Sequence, residues 1–379
     1  MNTMILPNMN FHLLLRLAFV AVLGLGFLYI QPSKLAKNPP LYIAMNPEYQ
    51  RIASEQLVFE LQGSDSLLKH PVYLLSDAAK QPLLYAADII TPVCIDGLCK
   101  PMYLTLYWSL VGDYVGYGVF QDNLLTKFDH EPFETKDYTK FHELLLNKHS
   151  ILERKNMADL FDQNVQATEK ITFQGKEVDA VSGATKTEIK ESVVEGALYS
   201  CFTAWHLAHG EVKEKIVQHL LGLYTPALAL AFLHSPYEDY QFFALKQLDA
   251  TAFAQNLPRI QEIFATASPL TRIYILKKLP KESWKTEQVA LPFFQTFTST
   301  DINTRTLLLN NLKYSHEKVT EILVNEVEKM SKNQLTVFLG HLAENKNRLS
   351  KSVRARLEAA AKNTGFAERY VVEGFLKGE

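Results

Sequence analysis

One stretch of the chain, residues 179–191, gathers small and hydroxyl side chains directly before a helical pattern: DAVSGATKTEIKE. Thr185 and Thr187 offer hydroxyl groups, and Gly183 permits backbone conformations that other residues avoid. Thr185 and Glu188 have the spacing of a capping box, so Thr185 is a candidate helix N-cap. The first turn of a helix presents unpaired N–H groups and a partial positive charge, which suit a phosphate. The residues alone leave two interpretations, a plain strand–turn–helix and a site that holds a phosphate group.

Within this stretch, residues 179–185 (DAVSGAT) resemble the D-x-x-[ST]-G-A-T flavinylation motif of the FMN-binding domain family. That family includes the flavin subunits of the sodium-pumping NADH:quinone reductase and of the Rnf electron-transport complex. Every fixed position of the motif is matched, and the resemblance covers roughly residues 83–210. It implies that a flavin transferase links FMN through its phosphate to Thr185.

The resemblance also assigns roles to the rest of the motif. Asp179 is similar to a recognition element for the transferase rather than to a redox group. Ser182 is expected to hydrogen-bond the phosphate. Gly183 and Ala184 leave room for the transferase and for a phosphate beside the backbone. The predicted cofactor-binding residues are these four together with Thr185.

The function that the resemblance implies is electron carriage, because FMN passes one or two electrons while the protein sets its position and potential. A covalent tether suits an exported protein, which could not replace a lost cofactor. The sequence contains no G-x-G-x-x-G fingerprint for a nicotinamide dinucleotide. Electrons are therefore expected to come from one partner protein and to pass to another. The alternative is a membrane-anchored scaffold, in which the FMN-type domain is degenerate and the C-terminal helices bind a partner.

Aromatic and β-branched residues flank a Val-Gly-Asp turn in residues 102–121, MYLTLYWSLVGDYVGYGVFQ, and this pattern predicts a β-hairpin. Five aromatic side chains of the hairpin either stack on a flavin ring or fill the core of the sheet. These side chains are Tyr103, Tyr107, Trp108, Tyr114 and Tyr117.

The chain has three cysteines. Cys94 and Cys99 lie close together in TPVCIDGLCKP, and three interpretations stay open: a disulfide that suits an exported domain, a redox-active dithiol beside the flavin, or two unrelated thiols. A second pair of metal ligands and the C-x-x-C-H haem signature are both absent from the sequence. Cys201 lies on the apolar face of a predicted helix, and we expect it in the core.

Two pairs of titratable residues have a functional and an ordinary interpretation. His206 and His209 share one face of a predicted helix, where they either bind a haem or metal or complement the dipole at the helix C-terminus. Asp129 and His130 lie in a loop-like stretch, as a catalytic dyad or as ordinary loop residues.

Length and composition describe an ordinary globular protein of two or three domains, with 379 residues, 47% hydrophobic and 21% charged. The 39 basic and 41 acidic residues leave a net charge of −2. No basic field is available for nucleic acid, so we exclude that class of partner.

The N-terminus carries an apolar run, residues 13–30, interrupted only by Arg16, whose charged end can reach lipid headgroups. The run is short beside the roughly 20 apolar residues of a membrane span, and no good Ala-x-Ala cleavage site follows it. A retained anchor, a cleaved signal peptide and a buried core helix all remain open for residues 1–31. We expect the bulk of the chain on the periplasmic or extracytoplasmic side, although Lys34 and Lys37 argue weakly against export.

Beyond this segment the pattern is mixed, and we expect an α+β fold with an antiparallel sheet. Residues 32–82 are predicted to be a linker and the first part of the exported region, and residues 83–210 the FMN-binding domain. QRIASEQLVFEL looks helical, HPVYLLS and QPLLYAADII look extended, and DYTKFHELLLNKHS looks helical. EKITFQGKEVDAV reads as two short strands, and TEIKESVVEGALYSCFTAWHLAHG as one amphipathic helix that ends at Gly210.

From residue 211 to residue 379 the strand signal disappears and an apolar helical segment recurs roughly every 30 residues. The recurring segments end at Leu248, Leu279, Leu312 and Leu342. Pairs of helices at this period are typical of an α-solenoid, and the region resembles HEAT-like repeats. An irregular helical bundle is the alternative.

Overall fold

The computed structural model describes residues 39–62, 68–93, 100–127, 130–156, 171–173, 176–178, 189, 191–344 and 349–378. Contacts divide the chain into two compact units, Met1–Leu223 and Tyr224–Glu379.

The first unit is built on a six-stranded antiparallel sheet with the order β1-β6-β5-β4-β3-β2. Its strands are β1 (Pro40–Ile43), β2 (Ser54–Gln62), β3 (Lys69–Ser76), β4 (Pro82–Thr91), β5 (Met102–Trp108) and β6 (Tyr114–Val119). Apart from the β1–β6 pair, each strand of the sheet lies beside a strand that is its neighbour in sequence, so most connections are short hairpins. The predicted α+β fold with an antiparallel sheet is therefore confirmed.

The central strands form because their residues are apolar on both faces. Leu84, Tyr85 and Ala86 of β4 and Leu106 and Tyr107 of β5 are all fully buried. Such continuous burial favours β-branched, aromatic and small apolar residues over an alternating polar pattern. The extended segments predicted at β3 and β4 and the predicted β5–β6 hairpin are confirmed.

One expected helix is mostly a strand. QRIASEQLVFEL contains only the end of a short helix, α1 (Asn46–Gln50), and then β2, which pairs with β3. Leu61 is buried and Leu57 is exposed, since the register shifts between Leu57 and Phe59, and pairing with β3 satisfies the backbone. That pairing outweighs the local preference of Glu, Gln and Leu for a helix.

Three helices complete the described part of this unit: α2 (Thr135–Leu146), α3 (Leu198–His209) and α4 (Val212–Leu223). The predicted helix at DYTKFHELLLNKHS is confirmed as α2, which packs on β6 and α3. Helix α4 packs against β2 and α3. A 3₁₀ turn (Ile151–Arg154) and a separate hairpin of β7 (Ile171–Phe173) and β8 (Lys176–Val178) lie between α2 and α3 in sequence.

The helix expected to reach Gly210 without a break begins only at Leu198. Residues 191–197 form turns, and Gly196 has a φ of 75°, which ends any continuous helix there. The apolar face was nevertheless placed correctly, because Val193, Leu198 and Trp205 are buried.

The second unit is helical, and its described residues contain no strand. Its α-helices are α5 (Pro226–Leu233), α6 (Glu238–Gln247), α7 (Ala250–Gln255), α8 (Leu257–Thr266), α9 (Pro269–Lys278), α10 (Glu287–Gln295), α11 (Ile302–Asn310), α12 (Val319–Val324), α13 (Lys332–Glu344), α14 (Lys351–Lys362) and α15 (Arg369–Lys377). Four 3₁₀ turns join them, at Lys281–Lys285, Phe297–Ser299, Leu312–Tyr314 and Val327–Lys329. The expected all-α region is confirmed.

Alternate helices of this unit pack on one another in two rows. Contacts run from α9 to α11, α13 and α15 in one row, and from α8 to α10, α12 and α14 in the other. Two arginines at matching positions connect the steps. Arg272 donates to the Phe264 carbonyl at 2.9 Å, and Arg305 donates to the Thr300 carbonyl at 2.8 Å. Each guanidinium thus supplies hydrogen bonds to carbonyls at the end of the preceding helical segment.

Within the described ranges, none of the helices combines the length and the apolar character needed to cross a bilayer. Residues 13–30 lie outside those ranges.

Candidate functional site

The predicted flavin attachment site lies outside the described residues. This applies to Asp179, Ser182, Gly183, Ala184 and Thr185 alike. Their roles stay predictions, and the structure contributes the chain on either side of them.

On the upstream side, β8 ends at Val178, one residue before the motif. It pairs antiparallel with β7, with Ile171 opposite Val178 and Phe173 opposite Lys176. The two short strands predicted from EKITFQGKEVDAV are confirmed. A strand therefore leads directly into the motif, as the flavinylation hypothesis requires.

On the downstream side, the chain returns to the core of the first unit. Ile189 is fully buried, and Val193 and Val194 are 3% and 1% exposed. The Val194 amide donates to Cys201 Sγ at 3.4 Å. Burial raises the pKa of the Cys201 thiol to about 12, so this thiol is protonated and inert at neutral pH. The expectation that Cys201 lies in the core is confirmed.

Five side chains on β1, β6, α2 and α3 form a cluster that we call the tyrosine–histidine cluster: Tyr42, Tyr114, Tyr117, His142 and His209. The imidazole of His142 stacks on Tyr42, with ring centroids 4.6 Å apart and planes at 12°. Tyr114 Oη lies 3.0 Å from His142 Nδ1. The cluster joins the edge strand β1 to α2 through side-chain contacts.

Polar groups around this cluster fix α3 in place. His209 Nε2 donates to the Leu145 carbonyl at 2.7 Å, so that nitrogen carries the proton. The indole Nε1 of Trp205 donates to the Asn147 carbonyl at 2.9 Å. Trp108 Nε1 donates to the Ala208 carbonyl, also at 2.9 Å. These bonds tie α3 both to the end of α2 and to β5.

Burial favours the uncharged forms of Tyr114, Tyr117, His142 and His209. It raises the pKa of Tyr114 and of Tyr117 well above the usual value for a phenol. It lowers the pKa of His142 and of His209 below the usual value for an imidazole. Tyr114 and His142 share one hydrogen bond in these uncharged forms, so the cluster packs as aromatic side chains rather than as an acid–base pair.

The five aromatic residues of the hairpin had two interpretations, and core filling is confirmed for four of them. Tyr107, Trp108 and Tyr117 are fully buried, and Tyr114 is 4% exposed. Tyr103 is partly exposed and meets Phe120 edge-on, with ring centroids 5.9 Å apart.

The remaining predicted residues are only partly described. Cys94, Cys99 and Asp129 lie outside the described residues. His130 is exposed and has a φ of 61°. His206 packs against the Phe202 ring at 4.2 Å. Among the described side chains, no group of three or more His, Cys, Asp or Glu residues could hold a metal ion.

One ionic site was not foreseen from the sequence. Asp113, in the β5–β6 turn, accepts contacts from Lys213 Nζ at 2.7 Å and from Lys148 Nζ at 2.9 Å, both on Oδ1. The Val-Gly-Asp turn was a visible signal, but the lysines come from distant segments whose approach depends on the folded sheet.

Comparison of the chain with protein-family models, with curated proteins and with solved structures found no match.

Proposed function

We propose that this chain is an exported, membrane-tethered flavoprotein that carries electrons on FMN joined to Thr185 by a phosphoester. The observation that carries the proposal is the intact D-x-x-S-G-A-T sequence at residues 179–185. Two described features support it: β8 ends at Val178, and the chain is buried again at Ile189. A strand directly before the motif and a buried residue shortly after it are compatible with attachment of a cofactor between them.

FMN in this position would supply a carrier of one or two electrons. The Thr185 hydroxyl provides the attachment point. Its oxygen would bond to the flavin-side phosphorus of a flavin dinucleotide held by the transferase, the P–O bond to the second phosphate would break, the nucleoside monophosphate would be released, and the hydroxyl proton would pass to a base of the transferase. Ser182 donates a hydrogen bond to the phosphate, and Asp179 is recognised by the transferase. The donor and acceptor of electrons are separate proteins.

We assign residues 83–210 to the FMN-binding domain and residues 211–379 to a HEAT-like solenoid. The two rows of helices and the matching bonds of Arg272 and Arg305 support a repeated architecture. In such an array each step rests on its neighbours, so the helical region is suited to serve as a spacer or docking surface for a redox partner.

We place the protein at the membrane through residues 13–30, with the bulk of the chain in the periplasm or another extracytoplasmic space. After fractionation it should stay with membranes in high salt and in carbonate. Protease added from outside should digest the part after Gln31. Digestion from the cytoplasmic side alone would reject export.

The decisive experiment compares two threonines two residues apart. Each variant is co-expressed with a flavin transferase, and covalent flavin is detected as a fluorescent band on a denaturing gel and by peptide mass. Thr185→Ala should abolish the label, because the phosphoester needs that hydroxyl. Thr187→Ala is the matched control and should keep it. Flavin on Thr187, or full labelling of Thr185→Ala, would show that the assignment is wrong.

Asp179→Ala separates recognition from chemistry. It should lower the labelled fraction without changing the absorption spectrum of the protein that is labelled. Absence of label on the natural sequence would favour the alternative, a membrane-anchored scaffold whose helical repeats bind a partner.

A further inference from the structure

Two lysines of the helical unit converge on one tyrosine ring. Lys281 begins the 3₁₀ turn after α9, and Lys313 and Tyr314 lie in the 3₁₀ turn after α11. Lys281 Nζ lies 5.1 Å from the Tyr314 ring centroid, and Lys313 Nζ lies 5.0 Å from it. Both ammonium groups therefore lie beside the same phenol ring.

No carboxylate of the described residues forms an ion pair with either lysine. Among the described residues neither lysine forms an ion pair, and the adjacent Glu282 and Glu317 form none with them either. Two ammonium groups that contact the same ring repel each other. A neutral phenol holds them together without cancelling their charge.

Lys278, which also lies beside a tyrosine ring, has a structural role that can be compared with these two lysines. Lys278 lies 5.5 Å from the Tyr274 ring centroid, and its Nζ donates to the carbonyls of Leu245 and Leu248, both at 2.6 Å. It therefore closes the end of α6. For Lys281 and Lys313 no carbonyl acceptor is found in the described part of the chain, so their donors remain available on the surface.

We propose that Lys281, Lys313 and Tyr314 form a binding site for a phosphate group. A tetrahedral phosphate can accept from both ammonium groups at once and also from the phenol hydroxyl. Both lysines are exposed, so the anion can enter from solvent. Lys313 first and Lys281 second lower the pKa of the Tyr314 phenol, which agrees with the positive charge that the two lysines place beside the ring. This site is independent of flavin attachment.

The test uses the full chain in a non-ionic detergent with its lysines reductively methylated with ¹³C. The Tyr314 ring should shift the ¹³C-methyl resonances of Lys281 and Lys313. The variants Lys281→Arg and Lys313→Arg, which each lack one of these signals, assign them. Sodium phosphate is titrated against sodium chloride of equal ionic strength. Both resonances should shift with one shared, saturable affinity in phosphate and not in chloride.

Removal of either lysine should weaken phosphate binding, read at the other lysine, by about tenfold, because one charge-assisted hydrogen bond is lost. Lys285→Ala is the matched control: it removes an exposed lysine from the same turn as Lys281 and should leave the affinity unchanged. Equal shifts in phosphate and chloride, or unchanged affinity in Lys281→Ala and Lys313→Ala, would overturn the proposal.

Phosphate of this kind can belong to a soluble compound or to a lipid headgroup. Nanodiscs of phosphatidylglycerol and of phosphatidylcholine, without free phosphate, distinguish the two. A shift in phosphatidylglycerol nanodiscs that is lost in Lys281→Ala assigns a lipid source. A response to free phosphate alone assigns a soluble source.

Discussion

Lys213 Nζ lies 2.7 Å from Asp113 Oδ1. This ion pair joins the first turn of α4 to the turn between β5 and β6. The backbones of the turn and of α4 also approach each other closely. At Gly112, where φ is 81°, a Cβ atom would lie 2.9 Å from the Lys213 Cα. Glycine is therefore required there both by the backbone conformation and by the neighbouring helix. Lys148 adds a second contact to the same carboxylate oxygen at 2.9 Å.

Asp113→Asn should destabilise the first unit by about 1–3 kcal/mol, because a buried carboxylate loses charge-assisted hydrogen bonds to two lysines. The carboxylate is 10% exposed, whereas the lysines are about half exposed, so the loss lies in the hydrogen bonds more than in long-range charge. Hydrogen exchange of β5 and β6 measures the change. Lys69→Ala is the control, since its pair with Glu60 is exposed and should matter little.

The ion pairs of Asp113 also predict how the stability of the first unit changes with pH. Burial opposes ionisation of Asp113, but the hydrogen bonds from Lys213 and Lys148 outweigh it, so the pKa of Asp113 lies below its usual value. A lowered folded-state pKa stabilises the protein above the unfolded pKa, and this stability is lost as pH falls through the folded pKa. Asp113→Asn should therefore remove part of the loss of stability seen below about pH 4. An unchanged acid transition would contradict this role.

One buried and two partly buried histidines predict a second acid transition at higher pH. Burial lowers the pKa of His70, His142 and His209 below the usual value. Their contribution is full above an unfolded pKa of about 6.5 and declines as pH falls below it, because only the unfolded chain takes up the proton readily. Each such histidine adds up to about 1.4 kcal/mol per pH unit to the slope.

The test for this transition is urea unfolding at several pH values between about 7.5 and 5.5. His142→Asn should be less stable at the upper pH, because it loses its stacking on Tyr42, and should show a shallower fall toward the lower pH. Tyr42→Phe, which removes only the hydroxyl bonded to Thr139, should keep the slope. Parallel slopes for the natural protein and His142→Asn would contradict the assignment.

How much of this fold the sequence could predict depends on how local each signal is. The β5–β6 hairpin was predictable because its apolar strands and its Val-Gly-Asp turn are adjacent in sequence. Strand β2 was not, because Glu55 precedes its apolar residues and Glu60 interrupts them in a pattern that also suits an exposed helix. Its identity is decided by pairing with β3, which is a tertiary effect.

The features of the candidate site also differ in how far the sequence could predict them. The motif that contains Thr185 can be recognised because all its fixed residues lie within seven consecutive positions, residues 179–185. The contacts between Tyr42 and His142 and between Asp113 and Lys213 could not be predicted, since each joins segments about 100 residues apart. Arg272 and Arg305 are separated by about one repeat of the helical region. Their role depends on which carbonyls lie at the ends of neighbouring segments.

The three cysteines should differ sharply in reactivity. Cys201 is fully buried with a raised pKa, so it should resist alkylation until the protein unfolds. If Cys94 and Cys99 form a disulfide, the native protein without reductant should take up no label. Reductant should then expose two thiols, and unfolding with reductant three, counted by intact mass. The small loop should stabilise the fold by only about 2 kcal/mol.

Two labels on the native protein without reductant would reject the disulfide and leave free or redox-active thiols at Cys94 and Cys99. A label on native Cys201 would contradict its burial. The two outcomes are separable by peptide mapping, because the cysteines fall in different segments.

The last prediction concerns cooperation along the helical unit. Arg305 donates to the carbonyls of Thr298 at 2.7 Å and Thr300 at 2.8 Å, and so joins α11 to the turn that precedes it. Arg305→Ala should cost about 1–3 kcal/mol, since these are bonds from a charged donor to otherwise unpaired carbonyls. Arg305→Lys should rescue little, because an ammonium group cannot reproduce the planar fork.

The helices in which Arg305→Ala lowers stability are more informative than the size of the change in free energy. In a repeated array each step rests on its neighbours, so Arg305→Ala should raise hydrogen exchange in α10, α11 and α12 before it does so in α5 and α6. Lys277→Ala, which removes an exposed side chain at the end of α9, should leave the exchange pattern unchanged. A uniform rise through all helices would indicate a single cooperative bundle, and would exclude a solenoid made of steps that unfold locally.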